Sequence, residues 1–291
     1  GDDAATLQIS GVKQVLSTDH LRGFTEDPAL MARIAAIHAL GDIWSMGAEP
    51  QAALATVILP RMNPTLQRRT LEEIMRAAGA VFRDAGAEIV GGHSTLGNEL
   101  TIGFTVTGLA DAPIQQSGGK PGDVLILTRP LGSGTLLAAE MQGKANGRHV
   151  MKMLQVMAQP QADAAAILRP AHAMTDVTGF GLAGHLMAIC KASGTGAEIA
   201  LNSLLFYDGA LELADAGIRS SLYAANLAHA PLVGAAGARG ALLHDPQTAG
   251  GLLAAVAPDQ ADAILSQLQS IGVPATRIGT LTEGAPMIHC I

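Results

Sequence analysis

The chain has 291 residues, enough for one large or two medium domains, and is 48% hydrophobic but only 3% aromatic. A net charge of −7 leaves no basic surplus for a nucleic-acid partner, and no uninterrupted apolar run reaches the ~18 residues of a membrane span. Its two cysteines, Cys190 and Cys290, lie far apart with no CxxC pair, which fits a reducing cytoplasm and argues against a zinc ligand set.

Asp2-Asp3 opens the chain ahead of a short strand, and a second strand over 15–18 ends in Asp19. Asp27-Pro28 reads as an N-cap with proline at the first helical position. Leu30, Ile34, Ile37, Gly41 and Trp44 then recur at helical spacing as one buried face, with His38, Asp42 and Ser45 on a neighbouring face. Asn63-Pro64 starts a second helix, with Leu71, Ile74, Ala78 and Val81 or Phe82 turned inward. Strands are predicted at 52–59, 89–90 and 100–108. The strand at Ile89 is expected to end in a loop, Gly91-Gly92-His93-Ser94, where backbone can approach a ligand. This first part reads as α+β.

A turn-rich joint, Ser117-Gly-Gly-Lys-Pro-Gly122, marks the boundary between domains at 1–115 and 116–291. Beyond it, a strand over 124–128 leads into Pro130-Leu-Gly-Ser-Gly134 and a helix. This is a strand–loop–helix without the third glycine of a dinucleotide fingerprint or the Lys-Ser/Thr of a P-loop. Helices follow across 146–168, broken at Pro160.

The segment 174–185 places Asp176 between two threonines, ahead of Gly179, Gly181 and a helical pattern. It reads equally as a capped helix or as a carboxylate beside free helix-start N–H groups, suited to a divalent cation with phosphate. Cys190 falls on that helix's apolar face as a buried thiol, Cys290 belongs to an ordinary chain end, and His185 is taken as structural. Then come a strand over 197–201, a helix over 207–216 and a Gly/Ala tract over 234–240 with no assignment. His244-Asp-Pro-Gln-Thr-Ala-Gly-Gly251 leads into a strand at Leu252–Val256. A helix at Pro258–Ser270 and strands over 277–281 and 287–290 close the chain.

Asp2, Asp3, Asp19, Asp42 and Asp176 lie in no charge run. Singly, each reads as well as a capping or surface residue. As a set they point to a cation, because carboxylates converging from separate elements repel one another unless a positive charge intervenes. None of the nine histidines makes an HExxH or a zinc pair with cysteine, and there is no GxSxG.

The chain resembles the selenophosphate synthetase (selenide, water dikinase) family, within the superfamily of aminoimidazole ribonucleotide synthetase. The likeness rests on Asp2-Asp-Ala-Ala5, Ser17-Thr-Asp19, the run from Arg33 to Gly47, Gly91-Gly-His-Ser94, Thr175-Asp-Val-Thr-Gly-Phe-Gly-Leu-Ala-Gly-His185 and Asp245-Pro-Gln-Thr-Ala-Gly-Gly-Leu-Leu253. The 175–185 segment discriminates most.

The resemblance implies an α/β (α+β) two-domain fold: an N-terminal α+β domain that dimerises and binds ATP, and a C-terminal α/β domain. It implies Asp3, Asp42 and Asp176 as Mg²⁺ ligands, and Asp2, Asp19, Asp42, Gly92, His93 and Ser94 at the nucleotide, the glycine loop serving the partner subunit. The implied reaction consumes ATP, selenide and water in the cytoplasm. The tract from Asp208 to Ile218, with Ser220-Ser-Leu222, is similar to versions fused behind a flavin-dependent oxidoreductase.

The family's reactive Cys or selenocysteine and its Lys precede the Asp-Asp motif. This chain, opening at Gly1 without Met, is therefore expected to begin inside a longer natural sequence and to carry no catalytic nucleophile of its own. His20-Leu21 also departs from the aromatic residues usual there. Two other readings stay open: a small-metabolite kinase or cyclo-ligase of the same superfamily, and a non-catalytic nucleotide-binding module.

Overall fold

The computed structural model describes residues 2–291, which divide into two compact units. The first holds Asp3–Pro113 and Met157–Ala162; the second holds Asp2, Ile114–Val156 and Asp163–Ile291.

In the first unit, β1 (Ala5–Ile9) and β2 (Val12–Arg22) form a hairpin across Ser10 and Gly11, both at positive φ. That conformation matches a two-residue turn to the twist of the strands. β2 is longer than its sequence pattern suggested, so Asp19 lies inside the strand rather than at its end. Pairing with β5 (Thr101–Leu109) runs from Gln14 to Arg22 and imposes extended backbone beyond the apolar stretch.

Between them in the chain come α1 (Pro28–Ser45), β3 (Glu49–Pro60), α2 (Pro64–Asp84) and β4 (Glu88–Gly97), giving the sheet order β1-β2-β5-β3-β4. Asp27 caps α1 by accepting from the N–H groups of Ala29 and Leu30, and Asn63 caps α2 through Leu66. On β3, Ala53, Ala55, Val57 and Leu59 are buried while Leu54 and Thr56 are exposed, the alternation of a sheet with one covered face. Phe82 of α2 meets Phe104 of β5 edge to face at 5.0 Å. Leu7, Ile9, Val12, Leu54 and Leu96, all on this sheet, are exposed.

Two expectations need correction. α1 is not buried along one stripe: Ala32, Ala36, Leu40 and Ile43 are enclosed as fully as Ile34 and Ile37. The Gly91-Gly92-His93-Ser94 segment is not a loop but the middle of β4, paired in parallel with β3. A register shift between Ala53 and Leu54 admits it. Gly92 sits there at φ +150°, and a Cβ on it would stand 2.0 Å from the Ala55 carbonyl oxygen, a space only glycine fits.

The second unit is built on six strands: β6 (Val124–Leu127), β7 (Ala173–Asp176), β8 (Gly196–Ile199), β9 (Leu252–Val256), β10 (Thr276–Thr282) and β11 (Ile288–Cys290). Their order is β11-β8-β10-β6-β9-β7, with only the β11–β8 pair parallel. The helices are α3 (Ser133–Met141), α4 (Gly147–Met157), α5 (Ala162–Ile167), α6 (Gly181–Ser193), α7 (Ala210–Asp215), α8 (Tyr223–His229), α9 (Gly237–Leu242) and α10 (Pro258–Ser270).

The helix expected over 207–216 begins only at Ala210, because Gly209 is left-handed. α8 and α9 are short helices that the sequence pattern did not reveal. Leu125, Leu182, Leu186, Ile189, Cys190, Leu253 and Ile278 belong to one buried core, which places Cys190 as expected. No helix among the described residues is long and apolar enough to cross a membrane.

Candidate active site

In the first unit, Asp3, Asp19 and Asp42 converge on the N-terminal sheet and α1. Carboxylate oxygens of Asp3 and Asp42 lie within 4.8 Å of each other. Ser45, one helical turn beyond Asp42, places its Oγ 2.6 Å from Asp3 Oδ2 and 3.0 Å from the Asp42 carbonyl oxygen. Ser17 Oγ donates to Asp42 Oδ2. Ser17 and Asp19 are two residues apart on β2 and so share its face. His38 Nε2, one turn before Asp42, stands 3.9 Å from Asp19 Oδ2.

The electrostatics follow from that crowding. Burial first, and then the charge of Asp19, push the Asp42 carboxyl up to about 8; the charge of Asp3 adds to this, and the Ser17 hydrogen bond opposes it. Burial lowers His38 against the pull of Asp19, so that imidazole does not supply the missing positive charge. Oxygen ligands held by hydroxyls, in a place where their ionisation is disfavoured, suit a hard cation such as Mg²⁺.

The remaining expected nucleotide contacts are placed differently. Asp2 is engaged at the start of the second unit, where Oδ1 accepts from the Gln116 N–H at 2.9 Å and Oδ2 from Gln115 Nε2 at 3.1 Å. Gly92 falls on the same cross-strand row as Asp19, through Phe104 and Ala55. Three strand spacings put it roughly 14 Å away. Within the first unit, then, Gly92, His93 and Ser94 do not join the carboxylates; they lie exposed on β4, the edge strand of this sheet.

In the second unit, Asp176 ends β7 with its side chain buried. Thr178 donates its backbone N–H to His185 Nε2 at 3.0 Å, which leaves Nδ1 to carry the ring proton toward Thr175 Oγ1 at 3.3 Å. His185 therefore bonds to residues on both sides of Asp176. The helix-start N–H groups expected to be free are partly used: Gly181 donates to the Thr178 carbonyl and Ala183 to that of Leu243.

The start of α3 is also capped from within. Gln247 Oε1 accepts from the N–H groups of Gly132 and Ser133, both at 3.1 Å, and from Ser133 Oγ at 3.0 Å. Gln247 Nε2 returns a bond to the Asp245 carbonyl at 2.7 Å, while Thr135 Oγ1 donates to Asp245 Oδ1 at 2.8 Å. The loop carrying these residues supports the end of β7, because Val177 donates to the Gly251 carbonyl and the Gln247 N–H to that of Thr178.

Residues 1–110 match the family model of the AIR synthase related protein, N-terminal domain, and residues 120–288 that of its C-terminal domain. The chain is 36% identical over 301 residues to a selenide, water dikinase of Nitratidesulfovibrio vulgaris (strain DSM 19637 / Miyazaki F), covering 98% of this chain and 84% of that protein. The chain belongs to the selenide, water dikinase family.

A second family member, from Geobacter metallireducens, is 37% identical over 96% of this chain and 83% of its own length. The fold is shared more widely. A thiamine-monophosphate kinase from Stenotrophomonas maltophilia K279a superposes with a TM-score of 0.74 at 22% identity, covering 100% of this chain and 89% of that one. The chain matched in a HypE–HypF complex gives 0.76 at 19%, covering 100% and 90%.

For this carboxylate cluster, sequence reasoning passed over Ser17 and Ser45 as the groups that hold the carboxylates. It also took His185 as structural without seeing what it holds. The signal was present in spacing, two residues along a strand for Ser17 and Asp19 and three along a helix for Asp42 and Ser45. It carried no weight until the carboxylates were seen to meet.

Proposed function

We propose that this chain is the body of a selenophosphate synthetase, which converts ATP, selenide and water into selenophosphate, AMP and phosphate. The observation that carries the reading is the 36% identity to a selenide, water dikinase across 98% of the chain. The paired carboxylates support it: Asp3 and Asp42 hold Mg²⁺, with Asp176 as a third ligand offered by the second unit. Bound there, the ion neutralises charge on the phosphates of ATP and orients them for displacement.

The chain's own groups prepare that site. Ser17 and Ser45 fix the carboxylate oxygens, and the high pKa of Asp42 makes cation binding displace a proton. His185 holds the strand end that carries Asp176. In this reading Asp2, Asp19 and Asp42 contact the nucleotide, and Gly92, His93 and Ser94 reach the nucleotide of a partner copy in a homodimer. The exposed apolar side chains of the N-terminal sheet favour such a dimer. Two free cysteines fit a reducing cytoplasm. The likeness of the tract from Asp208 to Ile218, with Ser220-Ser-Leu222, to fused forms favours a joined or associated flavin-dependent oxidoreductase.

Phosphorus NMR of the full-length natural protein with ATP, Mg²⁺ and selenide tests the reading. Selenophosphate, AMP and orthophosphate are expected together. ADP as the sole nucleotide product would assign a small-metabolite kinase instead, and tight Mg²⁺–ATP binding without turnover would assign a binding module.

A further inference from the structure

The second unit contains a cavity of about 390 Å³ lined by none of the residues placed at the candidate active site. Asp215 at the end of α7, Arg219, Tyr223 at the start of α8, Leu232, Ala238 and His244 form its main surfaces. The Gly/Ala tract that the sequence left unassigned forms one wall. Gly240 packs so closely on Ala235 that a Cβ there would meet its carbonyl carbon at 2.9 Å, which folds the tract into a compact apolar surface.

Arg219 is fixed in place. Its Nη1 donates to the carbonyl oxygens of Ala214 at 2.6 Å and Ile218 at 2.7 Å, and its guanidinium carbon lies 5.1 Å from the centre of the Tyr223 ring. Tyr223 in turn meets His244 edge-on at 6.2 Å, and burial lowers the pKa of the His244 imidazole. A held cation and an exposed carboxylate thus line one small open space together with Ala and Leu side chains.

We propose that this cavity binds a free α-amino acid with an apolar side chain. Its carboxylate meets Arg219, its ammonium meets Asp215, and its side chain lies against Leu232, Ala238 and Ala241. The volume sits at the small end of ligand pockets, roughly 300–1,000 Å³. A nucleotide fits less well, because Arg219 already covers the Tyr223 face and Asp215 repels phosphate. The proposal does not depend on the activity assigned above.

Titration calorimetry of the full chain with L-leucine and L-methionine tests it, with isocaproate and isoamylamine as analogues that each lack one charge of leucine. Saturable binding of the amino acids is expected, with each analogue weaker by roughly tenfold or more. Arg219→Met and Asp215→Asn should each weaken leucine binding by about the same factor, and Ala238→Phe should abolish it by filling the space. Should Arg219→Met unfold by circular dichroism, Asp215→Asn and Ala238→Phe carry the test, since neither removes a bond that Arg219 makes. Absence of saturable heat with either amino acid would overturn the proposal. So would isocaproate binding as tightly as leucine, or unchanged affinity in Ala238→Phe.

Discussion

Asp42 in the first unit and Asp245 in the second are both enclosed carboxylates, and burial pushes both up, Asp42 to about 8 and Asp245 to about 6. Their surroundings differ in kind. Asp245 is met by neutral donors from Thr135 and Gln247, every one of which pulls its pKa back down. Asp42 has one such donor, Ser17, and faces the charges of Asp19 and Asp3. A buried carboxylate among hydrogen-bond donors is satisfied as it stands, whereas one among other carboxylates is stable only when neutralised. The second kind is the arrangement expected of a cation site, and the first is a structural brace.

Substitutions can test that contrast. Asp42→Asn should cost the most, lowering Mg²⁺-dependent ATP turnover by about 10³, or ~4 kcal/mol. Asp245→Asn should retain most activity, since an amide still accepts from Thr135. Steady-state assays of both variants measure the separation, and equal losses would dissolve it.

Gln247→Ala strips the cap from Gly132 and Ser133 and leaves two N–H groups without their acceptor. It should cost ~3 kcal/mol in urea unfolding, and Mg²⁺ should restore none of it.

Stability against pH sharpens the comparison. A carboxyl whose folded pKa lies above its unfolded value contributes most below the unfolded value. For Asp42 that contribution is lost as pH rises from about 4 toward 8. Metal-free protein should therefore lose ~2 kcal/mol over that window from this group, allowing for its partial exposure to solvent. Asp245 adds a smaller loss that is complete above about 6. Asp42→Asn should flatten the curve above about 6 and leave only the Asp245 slope below it, and Mg²⁺ should reduce the loss across the whole window. A curve that Mg²⁺ does not alter would separate the ion from Asp42.

The smallest effect is expected at His185. His185→Gln keeps one polar partner but not both, and should weaken Mg²⁺–ATP binding about tenfold, or ~1.4 kcal/mol, by calorimetry. Unchanged affinity would reduce His185 to a packing residue.

Local chemistry sufficed for several features. Asp27-Pro28 and Asn63-Pro64 marked helix starts because an N-cap oxygen and a fixed proline φ act within one turn. The Ile74, Ala78 and Phe82 stripe and the apolar Leu252–Val256 strand were likewise readable, since their burial repeats with the period of the backbone. The acidic motifs were visible as residues in unusual surroundings.

What the sequence could not determine is which of those residues are neighbours. Gly91-Gly92-His93-Ser94 reads as a loop by composition but pairs with Leu54–Val57 as a strand, the register shifting by one residue at Val90 of β4. Asp2 and Asp3 are adjacent in the chain, yet one bonds at Gln116 and the other at Ser45. The same holds for Gln247 at the start of α3 and for the residues that line the cavity beside the Gly/Ala tract. Periodicity is a property of one segment, but a hydrogen bond across 114 positions or a repulsion between strand and helix exists only once the chain has folded.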